Sequence, residues 1–315
     1  MQVRNSERTT FLQCRWKWYW SYDQCRKSNS QQTALRFGDL VHQALAAFYK
    51  KGVRRGPQPA KTFDKLYLEQ IEAPDAFGLA HSDSEWRDAR ELGVTLLESY
   101  YKEYGKDDQY KILICEQEFS APVLGTDVMY VGTMDGVWQD RDTGHIHIVD
   151  HKTTKAIDTS MLYIDEQASS YWTYGVDWLI SQGILKDASE LRGMIYNFLR
   201  KAKPDSRQRD AAGLYLNKDG SVSKNQPAKM FERYITWRDE ADRAAARSRI
   251  SDQIKEIKKA KNGRLAIYKS PGLFNVNCRS CSFKDVCELH ETGSDWEEML
   301  RLTTSPYDPY EAHKK

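Results

Sequence analysis

The chain has 315 residues, of which 40% are hydrophobic and 29% charged, so we expect one large folded domain or two smaller ones. The formal net charge is only +2, which excludes nucleic-acid binding through bulk basic character and leaves local patches as the route. No apolar run approaches the ~20 residues of a membrane span, and the first residues lack a signal-peptide core. We therefore expect a cytoplasmic protein whose six cysteines are metal ligands or buried thiols rather than disulfides.

The N-terminal third is predicted to be helical. Residues 1–30 place Cys14 just before a dense aromatic run, which is typical of a short amphipathic helix docking on the core. The alternative is that Cys14 is a metal ligand with distant partners. His42 lies beside the apolar stripe of the next helix, where an isolated histidine is more often structural than a ligand. The predicted helices of this part are 34–50, 62–72 and 84–104.

Residues 110–124 are predicted to form a strand. Cys115 lies in its apolar part and is most simply a core thiol. Either Glu116 or Glu118 is placed to face a site on a neighbouring strand, although glutamates in strands are commonly just solvated.

Residues 130–155 are predicted to form two strands joined by a polar turn, and they hold the strongest chemical signal. Asp135 lies in the first strand, and Asp150-x-Lys152 ends the second. Two carboxylates and a lysine at a strand end can hold a divalent metal and place a cation beside an attacking water. Taken alone, an Asp-x-Lys pair at a strand end is commonly an exposed ion pair.

The C-terminal half alternates between helix and strand. A helix predicted over 160–181 places Gln167 and Tyr171, four residues apart, on one face. The order of elements predicts an α/β or α+β core, a mixed central sheet flanked by helices. The remaining predictions are a strand over 191–199, a polar loop or small hairpin to about 228, a long charged helix over 230–262 and a polar, poorly ordered tail over 291–315.

A basic group follows the strand that ends near residue 200. Arg200, Lys201 and Lys203 are candidates for holding nucleic-acid phosphates, and a solvated loop is the alternative.

Three closely spaced cysteines near the C-terminus form a metal-site pattern. Cys278, Cys281 and Cys287 follow a Cys-x2-Cys-x5-Cys spacing, and a tetrahedral thiolate site requires a fourth ligand. Cys14 is favoured because it precedes the aromatic run and lies outside any predicted core strand, while Cys25 and Cys115 stay open. The spacing alone does not separate zinc from an iron–sulfur cluster.

Taken in chain order, these motifs resemble those of the PD-(D/E)xK nuclease superfamily, in its RecB-like branch. The chain looks closest to members with a four-cysteine iron–sulfur cluster, such as CRISPR adaptation nucleases, AddB-type helicase–nuclease subunits and phage recombination exonucleases. The resemblance extends from Cys14 to Cys287. Its motifs are Cys14, Gly38-x3-His42, Gly132-x2-Asp135, Asp150-x-Lys152, Gln167-x3-Tyr171, and the group Cys278, Cys281 and Cys287.

The resemblance implies a restriction-endonuclease-like core and metal-dependent hydrolysis of DNA phosphodiester bonds. The implied enzyme is an exonuclease on single-stranded DNA or DNA ends, in recombination, repair or phage DNA metabolism. Mg2+ or Mn2+ would be held by Asp135, Asp150, His42 and the backbone carbonyl of His151. Lys152 would orient the attacking water, with Gln167 and Tyr171 positioning the DNA backbone or the nucleophile.

The four cysteines Cys14, Cys278, Cys281 and Cys287 would hold a 4Fe-4S cluster, with zinc as the alternative. This cluster would staple the two ends of the chain around the nuclease core. No Gly-x4-Gly-Lys-Ser/Thr loop is present, so any unwinding would come from elsewhere, with a recombination or helicase protein as the expected partner.

Two other functions compete with nuclease activity. One is a non-catalytic module that binds DNA ends or a partner protein on a nuclease fold, and the other is a structural zinc protein with incidental carboxylates. The complete Asp–Asp–Lys set argues against a pure binder. We predict one compact domain whose segments are 1–30 with one cluster cysteine, the core 31–200, a loop and charged helix 201–264, the cysteine region 265–290 and the tail 291–315.

Overall fold

A computed structural model of the chain describes residues 1–29, 33–72, 83–106, 109–271 and 276–313. Short 3-10 and π-helical turns connect several of the elements. The helices and strands in chain order are β1 (Gln2–Val3), α1 (Asn5–Gln13), α2 (Arg15–Trp18), β2 (Arg26–Ser28), α3 (Thr33–Phe48), α4 (Pro59–Glu72), α5 (Asp83–Tyr104), β3 (Tyr110–Pro122), β4 (Met129–Asp140), β5 (Ile146–Thr154), α6 (Glu166–Ser170), α7 (Val176–Ser181), β6 (Leu191–Arg200), β7 (Phe231–Trp237), α8 (Glu240–Lys261), α9 (Val276–Arg279), α10 (Lys284–Thr292), α11 (Trp296–Thr303) and β8 (Thr304–Pro306).

The centre of the fold is a mixed sheet in the order β1-β4-β5-β6-β7, with β3 also paired to β4. Strands β4 and β5 are antiparallel because a short turn joins them. Strands β5 and β6 are parallel because the chain crosses over through α6 and α7 before it returns to the sheet. The predicted fold class, a mixed central sheet flanked by helices, is confirmed.

Helices cover both faces of this sheet. On one face, α3, α4 and α5 pack against inward side chains such as Val149 of β5. On the other face, the segment from α6 to α7 and helix α8 pack against side chains such as Ile148. Since side chains alternate along a strand, Asp150 and Lys152 lie on the same face as Ile148. The strand therefore carries its charged groups on the side of α6.

The prediction of one long helix over 230–262 is wrong at its N-terminal end. Residues Phe231–Trp237 form β7, which pairs antiparallel with β6 in a register that places Ile195 opposite Ile235. Aromatic and β-branched residues dominate this segment and favour a strand. The helical spacing of the charged residues belongs only to the segment that follows. The helix α8 begins only after Asp239, whose side chain caps it together with Asp242.

The prediction of a poorly ordered tail over 291–315 is also wrong within the described residues. Helix α11 forms there, and β8 pairs antiparallel with β2, with Lys27 opposite Ser305. The ring of Trp296 packs on that of Trp20 at a centroid distance of 5.5 Å. Helix α11 buries none of its residues fully. The last two residues of the predicted tail lie outside the described residues.

In the described part of the chain, no helix combines the length and the apolar character needed to cross a membrane. The division of the chain into segments, and its description as one compact domain, stay predictions.

Candidate active site

Strands β4 and β5 bring Asp135 and Asp150 side by side. Their register pairs Gly136 with Val149. Asp135, which precedes Gly136, therefore lies opposite Asp150, which follows Val149. The backbone N–H of His151 donates a hydrogen bond to Oδ2 of Asp135 at 2.7 Å. This bond joins the two strands at the point where their regular pairing ends.

Asp150 is almost completely buried beside Lys152. Nζ of Lys152 donates to Oδ1 of Asp150 at 3.2 Å. It also lies 2.9 Å from Oδ2, but outside hydrogen-bonding geometry, so that this buried oxygen accepts no hydrogen bond. Burial raises the pKa of Asp150, Lys152 opposes this effect, and the negative charge of Asp135 adds to it. Two buried like charges next to each other call for a further cation.

A chain of hydrogen bonds links Lys152 to the helical segment that begins at α6. Nζ of Lys152 donates to Oε1 of Gln167 at 2.8 Å. The amide of Gln167 donates to the Tyr171 hydroxyl at 2.8 Å, and that hydroxyl donates to the backbone carbonyl of Thr133 at 2.6 Å. Gln167 and Tyr171 therefore share one helix face, as their spacing predicts, and they connect β5 back to β4.

The predicted helix over 160–181 begins later than expected. Asp165 is the N-cap of α6, and its Oδ1 accepts a hydrogen bond from the backbone N–H of Gln167 at 2.9 Å. Residues 162–164 form a separate 3-10 turn, and a π-helical turn over Tyr171–Gly175 precedes α7. A single π-helical turn inside a helix is frequent at functional sites.

His42 reaches the same site from α3. Its Nδ1 lies 3.4 Å from Oδ2 of Asp135. Burial lowers the pKa of His42, but the hydrogen bond and the charge of Asp135 outweigh burial and raise it to about 9. One turn earlier, Gly38 lies so close to β5 that a Cβ there would contact Oγ1 of Thr153 at 3.4 Å. This distance is an ordinary van der Waals contact, so α3 lies close to the end of the strand, but the spacing does not itself require a glycine.

Glu116 is the strand glutamate that faces this site. Cys115 pairs with Gly136 and Gln117 with Met134, so Glu116 lies opposite Asp135. Burial and then the charge of Asp135 raise the pKa of Glu116 to about 7. Its φ of 42° is unusual for a residue other than glycine and marks a local irregularity of β3. Sequence alternation alone did not separate Glu116 from Glu118.

The side chain of His151 is buried in the core at the edge of this site. Its Nδ1 is hydrogen-bonded to the amide nitrogen of Asn197 at 2.8 Å, and its ring stacks on Tyr49 at a centroid distance of 5.7 Å. Burial lowers the pKa of His151, which keeps the ring neutral. The backbone of His151 touches the site, and its ring packs on the sheet face that α3 covers, 5.9 Å from the ring of His42 between centroids.

Of the three candidate phosphate-binding residues, two are engaged inside the protein. Arg200 donates to the backbone carbonyls of Ala228 and Lys229, and Nζ of Lys203 lies 2.6 Å from Oε1 of Glu91. Lys201 instead lies over the ring of Phe37, 5.9 Å from its centroid. Burial and the nearby charge of Lys155 lower the pKa of Lys201.

Four cysteines line one cavity of about 460 Å³ at the end of α1. They are the four that the sequence grouped, and all are free thiols. The lining also includes the lysines Lys17, Lys269 and Lys284. Cys115, by contrast, donates a hydrogen bond to the carbonyl of Ala46 at 3.2 Å. The cysteines are Cys14, Cys278, Cys281 and Cys287.

The donor set between β4 and β5 fits a divalent cation. It offers carboxylate oxygens and an imidazole, which suit Mg2+ or Mn2+, and one buried oxygen of Asp150 accepts no hydrogen bond. As the side chains stand, no three His, Cys, Asp or Glu residues among those described converge into a closed ligand set. Lys152 and His42 supply the positive charge next to the aspartates in this arrangement.

Comparisons with known proteins identify the family. Residues 5–288 match the family model of the PD-(D/E)XK nuclease superfamily, and no curated protein matches the chain. A solved structure of a candidate exonuclease from Eubacterium rectale is 13% identical in sequence with a TM-score of 0.41, over 76% of this chain and 71% of that one. The family match spans α1 to α10 and includes the strands that carry Asp135, Asp150 and Lys152. The chain therefore belongs to the PD-(D/E)XK nuclease superfamily.

Proposed function

We propose that this nuclease hydrolyses DNA phosphodiester bonds with Mg2+ or Mn2+, and that it acts as an exonuclease on single-stranded DNA or DNA ends. The observation that carries the proposal is the hydrogen-bonded chain from Asp150 through Lys152 and Gln167 to Tyr171, adjacent to Asp135. Such a chain fixes an ammonium group beside two buried carboxylates, which a simple binding surface does not require.

Asp135 and Asp150 are the proposed metal ligands, together with His42 and the backbone carbonyl of His151. Glu116 joins this set because it lies opposite Asp135 and is partly buried with it. A divalent cation bound there would polarise the scissile phosphate and lower the pKa of a water molecule. His42 is protonated at neutral pH in this arrangement, since its pKa is raised to about 9, so it must release a proton before it acts as a ligand.

Lys152 is the proposed stabiliser of charge at the reacting phosphate. Its ammonium is oriented by one oxygen each from Asp150 and Gln167, and its third hydrogen is left to orient water or a phosphate oxygen. Tyr171 holds Gln167 in place through the hydroxyl that it anchors on Thr133. Gln167 and Tyr171 thus act by positioning Lys152 and the DNA backbone.

Lys201 is the best supported of the proposed phosphate-binding residues, because Arg200 and Lys203 already have partners within the protein. Among the described residues, no carboxylate lies within ion-pairing distance of Lys201. Lys201 directly follows β6, the strand next to β5, and lies near Lys155. The two lysines form a local positive patch.

We also propose that Cys14, Cys278, Cys281 and Cys287 hold a 4Fe-4S cluster, with zinc as the alternative. The support is that all four thiols line one cavity. Lys17 lines it too, beside Lys269 and Lys284, which pair with Glu291 and Glu288 of the same lining. A metal bound there would staple α1 to α9 and α10. A role in recombination, repair or phage DNA metabolism, with a helicase or recombination partner, belongs to the same proposal.

The test uses anaerobically purified protein and DNA labelled at the 5′ end or the 3′ end. Single- and double-stranded forms are incubated with Mg2+, Mn2+ or EDTA. Asp150→Asn keeps the volume of the side chain and removes its charge, and the exposed Asp252→Asn on α8 is the matched control. We expect metal-dependent release of label, reduced at least about 100-fold in Asp150→Asn and unchanged in Asp252→Asn. Intact DNA in every lane with folded, metal-loaded protein would overturn the proposal in favour of a non-catalytic DNA-end-binding or partner-binding module.

A further inference from the structure

Three large apolar side chains are exposed on the turn between β5 and α6. Met161 is 62% exposed, Tyr163 53% and Ile164 64%, although they are close neighbours in the chain. Large apolar residues exposed as a group, rather than singly, commonly mark a contact surface. We call residues 161–164 the apolar turn.

The apolar turn is held in place by contacts that other residues make with its backbone. Leu162 is buried, its carbonyl accepts a hydrogen bond from Arg238 at 3.0 Å, and the same carbonyl lies 3.3 Å from the Tyr196 hydroxyl. The turn is therefore an ordered element that projects three apolar side chains outward. An ordered display loses little conformational entropy when a ligand is bound.

The apolar turn borders the candidate active site. It ends at Asp165, whose two carboxylate oxygens accept from the backbone of Gln167 and from the Tyr196 hydroxyl. Gln167 in turn accepts the hydrogen bond from Lys152, and Tyr196 pairs with Asp150 in the sheet. Two routes thus join the turn to the reacting groups: one runs from Asp165 through Gln167 to Lys152, and the other from Asp165 through Tyr196 to Asp150.

We propose that the apolar turn contacts the bases of unpaired nucleotides next to the scissile phosphate, with Tyr163 stacking on a base. This inference rests on the proposed function, because it takes DNA as the substrate. A strand whose phosphate lies at Lys152 presents its bases nearby, and stacking on an aromatic ring needs a base face that pairing in a duplex leaves covered. Met161 and Ile164 would pack on the neighbouring base, as apolar side chains do at unstacked steps. The turn would therefore favour single strands and frayed ends over closed duplex.

The first part of the test measures DNA binding in EDTA, where cleavage is suppressed. A single-stranded oligonucleotide with an internal 2-aminopurine reports both affinity and stacking, and a closed hairpin duplex is the comparison. We expect Tyr163→Ala to weaken single-strand binding at least about fivefold and to reduce quenching of 2-aminopurine. Tyr163→Phe retains both because it retains the ring. Hairpin binding changes less than single-strand binding.

The second part uses Met161→Ser combined with Ile164→Ser, and Leu302→Ser as the matched control. Leu302 is 61% exposed but lies on α11, so its replacement tests for nonspecific effects of lost apolar surface. Single-strand binding like that of the wild type in both Tyr163→Ala and the double variant would overturn the inference, as would an equal loss on hairpin DNA or in Leu302→Ser. Wild-type protein that stacks 2-aminopurine but never cleaves would overturn the proposed hydrolysis and leave this contact standing.

Discussion

Nζ of Lys152 lies 2.8 Å from Oε1 of Gln167 and 3.2 Å from Oδ1 of Asp150, so one ammonium group is shared between a helix and a strand. Lys152 and Gln167 are 15 positions apart in the chain. Their contact depends on the N-cap of α6, where Asp165 fixes the backbone of Gln167. The position of Lys152 is thus set by residues outside its own strand.

Replacing Gln167 by alanine should lower the single-turnover cleavage rate about 10- to 100-fold, because Lys152 loses one of its two acceptors. Tyr171→Phe should have a smaller effect, since Gln167 stays but loses the hydroxyl that orients it. The KM for DNA should change less than the rate constant, as Lys152 acts at the reacting phosphate. A Gln167→Ala variant that cleaves at the wild-type rate would contradict the positioning role.

Two arginines contact the same carboxylate and should differ greatly in their effect on stability. The side chain of Arg8 is fully buried and pairs with Glu166, whereas Arg249 is 44% exposed and lies 3.0 Å from the other oxygen of Glu166. Arg8 also donates to Gln253 at 2.6 Å and to Asn5 at 2.8 Å. Arg8→Met should therefore lower the free energy of unfolding by about 3 kcal/mol, and Arg249→Met by less than about 1 kcal/mol.

Urea unfolding of the two variants measures this difference. Because Glu166 directly precedes Gln167, Arg8→Met should also slow cleavage under conditions where the protein is still folded. Equal losses of stability in the two variants would show that burial of Arg8 does not matter.

Cys281→Ser should remove bound metal and the visible absorption of an iron–sulfur cluster, and it should lower the Tm by about 5 °C or more. The Tm should fall more clearly than the cleavage rate of the folded protein, since the cavity lies at the ends of the chain rather than at Asp150. Cys115→Ser is the matched control, because it lies outside the cavity lining and serine can keep the hydrogen bond to Ala46. A colourless protein with one zinc would replace the iron–sulfur assignment and leave the stapling role in place.

His147 should make the protein less stable in acid. It is buried, its Nδ1 has no hydrogen-bond partner, and burial lowers its pKa to about 4. The unfolded chain binds a proton near pH 6.5, so this contribution to stability is complete above pH ~6.5 and is lost as the pH falls towards 4. The free energy of unfolding of His147→Phe, relative to that of wild type, should therefore be higher at pH 5 than at pH 8 by about 1 to 2 kcal/mol.

The measurement is urea unfolding at both pH values. His145→Phe, two residues earlier and more exposed, controls for the added apolar surface, and the difference between the two variants at pH 5 is the quantity of interest. A His147→Phe variant whose advantage is the same at pH 5 and pH 8 would rule out the proton-linked explanation.

Several features were predictable from the sequence because they depend on local periodicity. Apolar spacing predicts α3 with His42 on it, and alternation around a polar turn predicts β4 and β5. Helical spacing places Gln167 and Tyr171 on one face, as their hydrogen bond shows. In each case the residues concerned lie within one continuous helical segment or one hairpin, so that their geometry follows from the residue repeat alone.

Other features were decided only by the packing of distant segments. The register of β3 against β4 selects Glu116 over Glu118, and the edge of β6 converts Phe231–Trp237 into a strand despite the helical spacing that follows it. An exposed ion pair joins Lys203 to Glu91, although its chain neighbours gave no sign of this contact. The path of the chain ends brings Cys14 to the other three cysteines of the cavity. These outcomes depend on contacts between residues far apart in the chain, which a local pattern of side chains does not encode.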